Sequence, residues 1–220
     1  RENQFPDGDE GTMFEYELIY YPTSTAGGGP EDLKQPNPDS VAGVSMRSIS
    51  GRRNKELYRY HWQIDNNKDA DDYEPLIEML IAMGLSGNSY RDATNELLDV
   101  DQWLRSFAVQ VLCGIGDNYS SGSQHNAVFY FRPSDGKALY FPWDMDFSFN
   151  RGATSGLTPN GDLDKLLAAS PANERAYYGH ILDIVNVIVI VFIMIIIIIT
   201  NNNNTNTQLT LKPNRHNKKS

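Results

Sequence analysis

Three carboxylates and one carboxamide, Asp117, Asn126, Asp144 and Asp146, lie within one short stretch of the chain, residues 116–149. Carboxylate and amide oxygens are hard donors of the kind a magnesium ion takes. The stretch has three parts. A polar loop carries Asp117, Asn118, His125 and Asn126. Two short apolar runs follow, residues 127–131 and 138–143, separated by Ser134-Asp135-Gly136-Lys137. Gly136 falls where a tight turn needs a positive φ, so the two runs are predicted to form a β-hairpin. The ends of a hairpin lie side by side, so Asn126 at its start and Asp144 at its exit should converge on one ion. Asp146 is expected to share that ion. His125 is expected to hydrogen-bond within the loop, and Trp143 and Phe147 to pack so that they hold the two Asp residues.

A loop Asp and Asn, a hairpin, and an Asp at the strand exit form the layout of the catalytic half of protein-kinase-like folds. There the loop Asp accepts the substrate hydroxyl proton, and the Asn and the strand-exit Asp hold the ions that bridge the ATP phosphates. In that layout Asp117 is the candidate catalytic base, and Asn126, Asp144 and Asp146 are the candidate metal ligands. The match is imperfect in spacing: Asp117 and Asn126 are nine residues apart, against about five in protein kinases.

The segments GDNY (116–119), HNAVFYF (125–131) and GKALYFPWDMDFSF (136–149) resemble the CotH kinase-like family, named for a spore-coat protein. The resemblance extends from about Phe14 to about Val185. It implies an atypical protein-kinase-like fold, ATP with Mg2+ or Mn2+ as cofactors, and a protein substrate. It also points to a secreted or cell-surface location. In the family a Lys in an LYK-like stretch looks like the nucleotide-phosphate contact; here the matching residues are Leu57-Tyr58-Arg59. Arg59 is thus the candidate nucleotide contact, with a planar fork in place of a point charge.

The elements that must position these residues can be read from periodicity. Trp103, Leu104, Phe107, Ala108, Val111 and Leu112 recur at three- and four-residue steps, which predicts a buried helix. Asp101 is expected to cap its start and Gly114 to end it, so the helix delivers the chain to Asp117. Residues 14–21 (FEYELIYY) and 56–64 (ELYRYHWQI) read as strands. Residues 22–40, with Gly27-Gly28-Gly29 and several prolines, read as a surface insertion rather than a phosphate loop, because no P-loop Lys follows. Residues 66–72 form an acidic loop without the Gly and Glu spacing of an EF-hand. Residues 73–85 read as a helix with Pro75 in its first turn and Met79 and Met83 in the core. Residues 162–169 and 173–185 read as further helices after a loop at 152–161. The predicted class is α+β: an atypical kinase-like fold with a truncated N-terminal part, and a helical C-terminal lobe carrying the metal-site hairpin.

The chain has 220 residues, begins at Arg1 and carries a net charge of −9. The missing initiator Met marks it as an expected fragment. Its last twenty residues hold four basic and no acidic side chains, so the remainder, with 15 basic against 28 acidic, stands at −13. An acidic body argues against nucleic acid as a partner, since phosphate binding relies on clustered Lys and Arg. The single cysteine, Cys113, excludes an internal disulfide and is expected to be a small buried hydrophobe. Asn118-Tyr119-Ser120 is a glycosylation sequon inside the proposed site.

Two segments are expected: a kinase-like domain over 1–185 and a low-complexity tail over 186–220. The tail opens with an almost unbroken Ile/Val run, 185–199, then an Asn run and a basic end. It reads either as the translation of an AT-rich simple repeat or as a short membrane anchor, with the basic flank at its cytoplasmic end. Three functions fit the whole: a kinase moving the γ-phosphoryl group of ATP to protein Ser/Thr hydroxyls, a catalytically inactive pseudokinase, or a structural coat or surface protein.

Overall fold

The computed structural model describes residues 10–16, 55, 58, 62–116, 119, 126–159 and 161–210, the side chains of 192 and 196–210 excepted. The described part is α+β. One four-stranded antiparallel sheet, in the order β2-β1-β3-β4, is built from β1 (Thr12–Tyr16), β2 (Trp62–Asn66), β3 (Ala127–Phe131) and β4 (Ala138–Pro142). Five helices accompany it among the described residues: α1 (Glu74–Gly84), α2 (Gly87–Leu97), α3 (Val100–Leu112), α4 (Gly161–Ala169) and α5 (Pro171–Thr210). The chain divides into two compact units, Arg1–Ile181 and Leu182–Ser220, with α5 running through the boundary.

β3 and β4 form the predicted hairpin, paired from Ala127↔Pro142 to Phe131↔Ala138. Gly136 takes φ 71° at its turn, a conformation costly for a residue with a Cβ. Arg132 secures the turn by bonding Asp135 and pairing with Asp99 at 3.1 Å. The hydrogen bonds from Arg132 hold the Asp135 carboxyl below the usual carboxylate range. Every residue of β3 is buried, as expected for a strand covered on both faces.

α3 packs along β4 and completes its hydrogen bonding. The cap is Asp99, whose side chain accepts from the Gln102 N–H. Asp101, expected as the cap, lies two residues further on, inside the first turn, and bonds Arg105 and His180 instead. Both Asp residues suit a cap, and the one that lets Asp99 N–H reach Ala138 O (3.0 Å) is selected by the sheet. The helix presents a polar line on its sheet-facing side, Gln102, Ser106 and Gln110, each four residues from the next. The Gln102 amide donates to Tyr140 O (2.6 Å) and accepts from Tyr140 N (2.9 Å), taking the place of a neighbouring strand's peptide group. Ser106 Oγ donates to Tyr140 O, and Tyr140 OH donates to Gln110 Oε1. Trp103 Nε1 donates to Ala138 O, and its ring stacks on Phe129 with centroids 5.1 Å apart. These bonds occupy the outward-facing peptide groups of Ala138 and Tyr140 on β4.

Other expectations change as well. The second strand is shorter and later than 56–64: Lys55 and Tyr58 are helical and β2 begins at Trp62. Tyr58 and Trp62 are both fully buried and four apart, a spacing that a helical turn satisfies as well as alternation does. Residues 68–70 of the acidic loop form a 3₁₀ turn, and Asp71 pairs with Lys55 at 2.6 Å. Helix α2 had no counterpart in the periodicity, since it buries only Tyr90 and Thr94. Cys113 is half-buried rather than buried. Met79 and Met83 are core residues, as predicted.

Candidate functional site

The site is built where the end of α3, the open end of the hairpin and the segment after β4 come together. Beyond Cys113 the chain passes Gly114 and Ile115 to Gly116, directly before Asp117. The segment after β4 returns to this point and is stitched to it by backbone bonds. Gly116 N donates to Phe147 O (3.3 Å), Phe149 N to Cys113 O (2.7 Å), and Arg151 N to Gly114 O (3.0 Å). A Cβ on Gly116 would sit 3.0 Å from the Asn150 side chain, so the close approach favours a glycine there.

The other end of the polar loop arrives at the same place. Asn126 directly precedes Ala127, whose partner Pro142 is followed by Trp143 and Asp144, so Asn126 and Asp144 flank the last pair of the hairpin. Residues 117–125 therefore join Gly116, bonded to Phe147, to Asn126 at the start of the hairpin. Asn126 and Asp144 both adopt left-handed backbone, φ 55° and 46°, and Phe149 does so at φ 62°. Asn and Asp tolerate this region, whereas for Phe it is strained. Such concentrations of strained backbone occur at sites where the surrounding structure over-determines the chain.

Asp144 and Asp146 are exposed and Asn126 is half-buried. Their oxygens are hard donors, and so fit a magnesium or manganese ion chemically. Among the described residues no three His, Cys, Asp or Glu side chains converge, so the acidic pair would need the Asn126 amide or a donor from loop 117–125. Asp117, Asn118, His125 and Arg59 lie outside the described residues. Trp143 and Phe147, expected to pack around the carboxylates, are instead 53 % and 47 % exposed, and Phe149 is 81 % exposed. Ser148 Oγ, bonded to Met145 O at 2.6 Å, helps shape the turn in their place.

Tyr119 is the described residue between Gly116 and Asn126. Tyr119 is buried against Trp103, Phe107, Phe129 and Tyr140, and its hydroxyl donates to Asp162 Oδ2 at 2.6 Å. Asp162 is itself buried, in the first turn of α4. The pair ties the loop to both α3 and α4, yet the sequence gives little sign of it: the partners are 43 residues apart. Gln102, Ser106 and Gln110 were also overlooked, although their i, i+4, i+8 spacing on an apolar helix was a readable signal. Burial pushes the Tyr140 hydroxyl well above the ordinary tyrosine range, which keeps it a proton donor to Gln110.

The family model described as CotH kinase protein matches residues 32–178. The chain belongs to the CotH kinase family. The matched region includes both ends of loop 117–125, the hairpin and the Asp144–Asp146 segment, and it ends before the second compact unit. The α+β architecture with its small antiparallel sheet fits the kinase-like fold this CotH membership implies, and the membership indicates a kinase-like function. None of the curated proteins matches the chain.

Proposed function

We propose that this CotH-family chain is a protein kinase that moves the γ-phosphoryl group of ATP to Ser or Thr hydroxyls of a protein substrate. The observation that carries the reading is the convergence of loop and strand exit: Gly116 is bonded to Phe147, and Asn126 and Asp144 flank the hairpin's last pair, Ala127↔Pro142. In this reading Asn126, Asp144 and Asp146 hold Mg2+ or Mn2+, and Arg59 contacts the nucleotide phosphates. A bound divalent ion would supply charge neutralisation at the phosphates. Asp117 takes the proton from the substrate hydroxyl as its oxygen bonds to the γ-phosphorus and ADP departs. The Tyr119–Asp162 bond and the stitches from residues 113–116 to 147–151 supply the positioning on which phosphoryl transfer depends. Substitution of the family's Lys by Arg59 favours a second reading, a pseudokinase that holds nucleotide without turnover.

Transfer of labelled γ-phosphate to a mixed protein substrate, with Mg2+ or Mn2+, tests the proposal. Asp144→Ala should abolish transfer and weaken ATP binding. Asp117→Asn should slow transfer by roughly 10²–10⁴-fold and leave ATP affinity intact, because a base acts in the transition state. Full activity in Asp117→Asn would place the base elsewhere. ATP binding without any transfer by the unsubstituted chain would establish the pseudokinase reading.

A further inference from the structure

Helix α5 continues into a run of exposed apolar residues. Leu182 to Ile195 expose nearly every described side chain, with Ile184 alone half-buried. Val187, Ile188, Val189, Ile190 and Val191 are consecutive and each is between 47 % and 60 % exposed. At about 100° per residue, five consecutive positions go once around the helix, so every face of it is apolar. That pattern separates the possible environments. A core helix would be buried, and this one is not. A helix lying in the plane of a membrane surface needs one polar face. A coiled coil with a second copy needs an apolar seam flanked by polar positions, and residues 187–199 hold no polar side chain. A helix apolar all round is matched by the interior of a bilayer.

We infer that residues 184–200 span a lipid bilayer. These 17 residues reach about 26 Å as a helix, at the short end of single spans. The ends are marked in the sequence. Exposed Asp183 stands just before the run, and Asn186 lies within its first turn, at headgroup depth. Asn201 to Asn204 follow, then Lys212, Arg215, Lys218 and Lys219 without an acidic residue, a charge pattern complementary to anionic headgroups. The inference is independent of phosphoryl transfer, since the span lies outside the residues matched to the kinase family.

The test is synthesis of the full chain in the presence of phosphatidylcholine vesicles, followed by flotation on a density gradient. The chain should float with the vesicles and stay with them through high-salt and alkaline washes, because neutral lipid leaves only apolar insertion to hold it. Ile190→Lys combined with Ile193→Lys should lower the floated fraction at least about tenfold, with the near-UV circular dichroism of the aromatic core unchanged. Three results would overturn the inference: a chain that stays soluble, one that pellets without floating, or a double variant that floats like the parent.

Discussion

Two consecutive pieces of chain, β4 and the segment that follows it, are built on opposite terms. In β4 each inward group has a partner: Ala138 O accepts from Asp99 N and from Trp103, and Tyr140 is bonded on both sides by Gln102. From residue 143 onward the side chains turn to solvent, two residues enter left-handed backbone, and the segment is held by main-chain bonds to residues 113–116. The contrast shows how a fold can hold reactive residues in place without burying them. Side-chain packing fixes the strand, and backbone bonds together with the Ser148 hydroxyl carry that order across to Asp144 and Asp146, leaving their carboxylates accessible. Stability should therefore be concentrated in the first piece and function in the second.

The strongest way to break this division is Trp103→Ala. It removes a fully buried indole stacked on Phe129 and one bond to Ala138 O, and should cost about 3–5 kcal/mol in urea-induced unfolding. Gln102→Ala strips the Tyr140 N–H of its bond and Tyr140 O of one of two. It should cost about 1–3 kcal/mol in the same measurement; a loss below a few tenths would mean water replaces the amide.

A milder lever is alkali. Burial raises the Tyr140 pKa in the folded chain above that of the unfolded chain. Its contribution is complete below about pH 10, where neither state ionises, and is lost as pH rises beyond that, because the unfolded state releases its proton first. Unfolding midpoints followed up the alkaline limb should fall, and Tyr140→Phe should flatten that fall. The smallest effect is expected in the second piece. Phe149→Gly gives up an exposed ring and relieves left-handed backbone at φ 62°, so stability should hold or rise by up to about 1 kcal/mol. A clear loss would show that the segment is packed more like β4 than its exposure indicates.

What the sequence made legible was local. The hairpin could be placed because Asp135-Gly136 and the flanking apolar runs are turn and strand chemistry within a few residues of each other. The central helix could be placed because its apolar residues repeat at helical steps. Its cap was misplaced by two residues because Asp99 and Asp101 are equally able to cap, and only the distant Ala138 carbonyl distinguishes them. Helix α2 was illegible because two buried positions make no period. The bond between Tyr119 and Asp162 has no local trace at all. The aromatic residues of the PWDMDF segment were misjudged for the opposite reason: Trp143 and Phe147 look like core by type, yet the chain turns them outward. Asp117 is assigned from the kinase-like layout and Arg59 from the family resemblance, and both lie outside the described residues.

The burial of Tyr119 has a consequence in time. It is the middle residue of the sequon Asn118-Tyr119-Ser120, and an oligosaccharyltransferase must draw the whole tripeptide into its own cleft. Once Tyr119 has docked between α3 and the sheet and bonded Asp162, that tripeptide cannot be drawn out without opening the aromatic core. In a secretory compartment, sugar addition and folding would thus be rival fates of the same three residues. A chain glycosylated at Asn118 would be one that met the transferase before Tyr119 had docked, and the glycan would record slow folding.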